Sequence, residues 1–103
     1  MSTGYCCYFV KDNKYRGGFA IQAHTNKGSI LDVIEDYPYI FKGKFYDTYE
    51  GDYQAIEIDL SCFEKFKKSS CFFDYDYIGF LQGLLEAMEI AIKNDFKLFL
   101  GSE

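Results

Sequence analysis

"YIGFLQGLLEAMEIAIKN" (77–94) is the stretch that decides the fold. Tyr77, Leu81, Leu84, Met88 and Ile92 step by three or four residues, which puts them on one face of an α-helix. Gln82, Glu86, Glu89 and Lys93 make a single polar stripe on the opposite side. The apolar part is wide, so other elements must cover most of this helix. Gly79 and Gly83 leave room for a sheet or helix to approach closely. The membrane-dimer reading of G-x-x-x-G fails because the segment is too polar. Asp74 or Asp76 can cap the start, and Asn94-Asp95 ends the helix.

Outward from that helix, "FKLFL" (96–100) predicts a last strand, ended by Gly101. Upstream, "SCFE" (61–64) fits a capping box, with Ser61 capping the amide of Glu64, and predicts a short helix to about Lys68. "FKGKFYDTY" (41–49) and "DYQAIEIDL" (52–60) read as a hairpin around Glu50-Gly51. In its second arm Gln54, Ile56, Ile58 and Leu60 alternate with Ala55, Glu57 and Asp59, the period of a half-buried strand. "ILDVIEDY" (30–37) reads as a helix capped by Ser29 and stopped by Pro38. "YCCYFV" (5–10) and "YRGGFAIQAH" (15–24) form an N-terminal hairpin around the polar turn "KDNK" (11–14), with Gly17-Gly18 marking a bulge. The order β-β-α-β-β-α-α-β predicts a single α+β domain over residues 1–103. Its mostly antiparallel sheet packs on the long C-terminal helix.

Composition narrows the function. The 103 residues are 49% hydrophobic and 20% aromatic, enough to build a core without a staple. No basic leader followed by an apolar run opens the chain, and no apolar stretch reaches the ~20 residues of a membrane span. A cytoplasmic protein is expected. The four cysteines include no C-x-x-C, and His24 has no cysteine near it, so no metal or other cofactor is expected and the thiols read as reduced and mostly buried. The net charge of −5 is unevenly spread. Residues 1–31 carry four basic and one acidic side chain, whereas residues 32–60 carry two basic and eight acidic. That balance excludes free nucleic acid, which needs clustered Lys and Arg. It favours a basic protein as partner.

Catalytic patterns are thin. No Ser/His/Asp or Cys/His set stands at a local spacing, and no phosphate-binding glycine loop is present. Glu57 and Asp59, with Asp47 or Asp52, are the carboxylates that could hold Mg²⁺. Asp59 stands where nucleases of the restriction-enzyme type carry a lysine, and the basic groove a substrate needs is missing. A solvated strand face explains these acids better.

The stronger pattern is "YDTYEGDYQ" (46–54), three tyrosines and three carboxylates with no base. Tyrosine offers a rigid ring and a hydroxyl at its tip, and is enriched at interface hot spots. Carboxylates beside it steer toward Lys and Arg. The residues expected to bind a partner are Asp36, Tyr37, Asp47, Tyr49, Glu50, Asp52 and Tyr53, with Asp74 and Tyr75 from "FFDYDY" (72–77) in second place. A homodimer in which tyrosines pair with each other is a further way to use such a surface.

The segment "QAIEIDLSCFEKFKK…GFLQGLLEAMEIAIKNDFKLFLGS" resembles, in order and length, the strand-helix-helix-strand end of barstar-type immunity proteins. The resemblance spans about half the chain. It departs in the N-terminal half, where a β-hairpin stands in place of helices, so no inhibitory residue carries over. It implies a non-enzymatic inhibitor of a nuclease toxin. A phage-encoded inhibitor of a host nucleic-acid enzyme would share the same physical signature. "LLEAMEIAIKNDFKLFLGSE" (84–103) also looks like the helix-then-strand of ribonuclease H-like folds, but "YCCYFV" lacks the carboxylate that family places there.

Overall fold

A computed structural model describes residues 5–21, 36–47, 54–73 and 78–102; for Tyr5, residues 43–47, 54–55 and 102 it describes the backbone alone. Strand β1 (Tyr5–Lys11) is followed by β2 (Lys14–Ile21). Asp12 and Asn13 join them with φ of 55° and 61°. Two successive left-handed residues make a type I′ turn, whose twist matches that of the strands, and Asp and Asn tolerate this conformation better than other side chains. Tyr8 pairs with Gly18 and Val10 with Tyr15, so Phe9 faces two residues, Arg16 and Gly17. Gly17 absorbs this bulge at φ 110°, where a Cβ would be strained. At Gly18 a Cβ would run into the carbonyl oxygen of Cys7. The Gly-Gly pair is thus a backbone requirement of the hairpin.

A 3-10 turn (Pro38–Ile40) leads into β3 (Phe41–Asp47), which pairs antiparallel with β4 (Gln54–Ile58). A second 3-10 turn (Leu60–Cys62) opens helix α1 (Phe63–Lys68), and a third (Ser69–Phe72) follows it. Helix α2 (Ile78–Asn94) and strand β5 (Lys97–Ser102) complete the described chain. The sheet order is β2-β1-β5-β4-β3, and each neighbouring pair is antiparallel. The α+β class and the antiparallel sheet agree with expectation. The last strand in sequence lies in the middle of the sheet. The helix expected over 30–37 lies outside the described residues except for its end. There Asp36 is helical, while Tyr37 leaves the helix and precedes the 3-10 turn that Pro38 begins.

The core lies between one face of the sheet and the two helices. Cys7 and Phe9, Ile56 and Ile58, and Leu98 and Leu100 are i, i+2 pairs, so each pair points to the same face. Phe80, Leu81, Leu84, Ala87, Met88 and Ala91 of α2 cover them, with Phe66 of α1, Ile40 and Phe73 at one side. Gln82, Glu86, Glu89 and Lys93 are all exposed, as their stripe requires. Ile92 is a correction: it is 47% exposed, and Ala91 takes the inward place. At 100° per residue Ile92 lies about 80° round from Leu84, whereas Ala91 lies about 20° away. A run of steps of four drifts off the buried face.

The close approach predicted by the helix glycines is real at Gly83, where an added Cβ would lie 2.9 Å from Cγ2 of Ile21 on β2. Gly79 is exposed. The end of α2 is a Schellman motif. Asp95 is left-handed (φ 57°), its N–H donates to the Ile92 carbonyl at 3.4 Å, and the Phe96 N–H donates to the Ala91 carbonyl at 2.8 Å. Phe96 then packs on Phe9, ring centres 5.6 Å apart, which fixes the turn into β5. Among the described residues no helix is long and apolar enough to cross a membrane.

Candidate functional site

Strand direction sorts the expected binding residues into two groups. β1 and β4 both run antiparallel to β5, so they point the same way. β1 ends at Lys11, in the turn to β2, whereas β4 begins at Gln54. The Asp12-Asn13 turn and the start of β4 are therefore at opposite ends of the sheet. Asp47 pairs with Gln54 as the last described pair of the second hairpin. The six residues that join them include Tyr49, Glu50, Asp52 and Tyr53, all outside the described residues. Asp47 itself is placed by its backbone, at the end of β3.

Asp36 and Tyr37 belong to the other end. Phe41, four residues on from Tyr37, pairs with Ile58 at the far end of the hairpin. Six strand steps separate Phe41 from Asp47, about 20 Å. Asp36 is exposed and Tyr37 half-buried. The Tyr37 ring packs edge-on against Phe66 and Phe73, both at 5.6 Å between centres, and against Tyr39 at 6.5 Å. Its ring belongs largely to the aromatic end of the core. Phe73 immediately precedes Asp74, which with Tyr75 lies outside the described residues. The contact of Tyr37 with Phe73 holds Tyr37 at the end of the sheet opposite Asp47.

Basic groups stand both beside Tyr39 and around the Asp12-Asn13 turn. Tyr39, beside Tyr37, receives the Lys65 ammonium over its ring at 4.1 Å, and its hydroxyl lies 3.4 Å from that of Ser69. The Asp12-Asn13 turn carries Lys11, Lys14 and Arg16, and the adjoining start of β5 carries Lys97. Arg16 reaches Asp12 at 3.9 Å and donates to the Lys11 carbonyl at 3.4 Å. Lys11, Asp12, Asn13, Asp95, Phe96 and Lys97 line an open cleft of mixed charge at this end.

Of the carboxylates considered for Mg²⁺, Asp59 and Glu57 are engaged in local contacts, whereas Asp52 and the side chain of Asp47 lie outside what is described. Asp59 lies beyond β4 and caps the 3-10 turn, accepting from the Ser61 amide at 3.0 Å and the Ser61 hydroxyl at 2.6 Å. Those two bonds, in that order hydroxyl then amide, hold its carboxyl below the usual range, with a smaller push from Lys42. This corrects the capping box: the Ser61 hydroxyl donates back to Asp59, and α1 starts at Phe63 without a side-chain cap. Glu57 faces Lys42 across the β3–β4 pair at 3.7 Å. Among the described residues no three His, Cys, Asp or Glu side chains converge as metal ligands.

The four cysteines carry free thiols, and the expectation that they are mostly buried is corrected: Cys7 alone is buried, Cys6 and Cys62 are half-buried. Cys7 is fully buried, and burial first, then Cys6, pushes its thiol far up. The Cys62 thiol is raised by burial and by Asp59, and donates to the Asp59 carbonyl at 2.8 Å. Cys71 is exposed.

No protein-family model, curated protein or solved structure matches the chain.

Proposed function

We propose that the protein is a non-enzymatic inhibitor of the immunity type, acting in the cytoplasm on a basic, nucleic-acid-handling partner such as a nuclease toxin. The contact surface is the acidic, tyrosine-rich segment 47–53, with Asp47, Tyr49, Glu50, Asp52 and Tyr53 as its members. Asp36 and Tyr37, at the opposite end of the sheet, are a separate contact patch, and Asp74 and Tyr75 are contact residues in second place.

One observation carries the reading. The segment with three acids and no base joins β3 and β4 at one end of the sheet, while Lys11, Lys14, Arg16 and Lys97 stand at the other. The three carboxylates of that segment orient the molecule in the field of a basic partner and raise the rate of productive encounter, about 10- to 1,000-fold in steered systems. Tyrosines beside the acids then supply contact area with little loss of side-chain entropy.

The test is inhibition of a panel of purified basic nuclease domains, with and without Asp47→Lys, Glu50→Lys and Asp52→Lys together. The proposal expects inhibition of at least one domain and its loss in the triple variant. Equal inhibition by the triple variant would remove the site; inhibition of none would remove the function.

A further inference from the structure

We draw no further inference here: the strongest candidate, the aromatic patch on the sheet face opposite the helices, where Phe99 of β5 pairs with Tyr8 of β1 beside Tyr15, is an apolar face for which nothing in the structure shows what covers it.

Discussion

Replacing Gly83 by alanine should destabilise this protein, although alanine is the better helix former. Gly83 lies well inside α2, where the exchange favours the helix by about 1 kcal/mol. Against this, the new Cβ would stand 2.9 Å from Cγ2 and 3.5 Å from Cγ1 of Ile21. Ile21 is 3% exposed and β-branched, so its methyl group has neither space nor a free χ1 rotation to escape. Overpacking of this kind costs about 1–3 kcal/mol. The difference is a net loss of up to about 2 kcal/mol. Gly79 is the control, since it is exposed on the first turn of the same helix. Gly79→Ala should stabilise by about 0.5 kcal/mol. Urea unfolding followed by circular dichroism measures both, with an unchanged m-value as the condition for comparing them. In an Ile21→Ala background both γ-carbons are gone, and Gly83→Ala should become neutral or favourable. That cycle gives a coupling energy of about 1–3 kcal/mol. If Gly83→Ala stabilises the parent as much as Gly79→Ala does, β2 does not lie against α2 and the packing described is wrong.

Three further outcomes follow from single side chains. Ala91→Glu should unfold the protein or lower its stability by more than about 4 kcal/mol, because it buries a charge. Ile92→Glu, one position on, should change stability by less than about 0.5 kcal/mol; similar losses would mean that α2 is rotated from the position given. Asp59→Ala should lose about 1 kcal/mol at pH 7 through the missing cap. The Asp59 carboxyl is lowered in the folded state, so its contribution is present above the unfolded pKa and fades as pH falls through the folded one. The gap between parent and variant should therefore narrow as pH falls below the usual carboxylate range, and a gap independent of pH would refute the charged cap. In thiol labelling, Cys71 should react with iodoacetamide in the native state while Cys7 stays protected until the chain unfolds; early labelling of Cys7 would contradict its burial.

Local signals were enough for most elements, and the exceptions have physical causes. Asp12-Asn13, Gly17-Gly18 and Asn94-Asp95 announce a turn, a bulge and a helix end through backbone chemistry confined to two or three residues. The capping box misled because Ser61 had two possible partners. Asp59, two residues back, offers an ionised acceptor for both its amide and its hydroxyl, and a charged acceptor wins over the Glu64 amide. Strand order was not legible. Pairing β5 between β1 and β4 joins residues some 90 and 40 positions apart, and no local pattern encodes that. For the site, the acidic segment was legible in sequence, but not that 36–37 and Asp47 lie towards opposite ends of β3, since that depends on which way β3 runs. Tyr37 was legible as an aromatic beside an acid; its packing on Phe66 and Phe73 required the fold.

The central claim is that segment 47–53 meets a basic partner through charge. Its most direct test is the association rate with an inhibited nuclease domain, measured by stopped flow across ionic strength. The parent should associate fast at low salt, with log rate falling steeply as ionic strength rises. The Asp47→Lys, Glu50→Lys, Asp52→Lys variant should associate more slowly, by about 10-fold or more, and show a flat or inverted salt dependence. The same steep slope in both proteins would contradict the account.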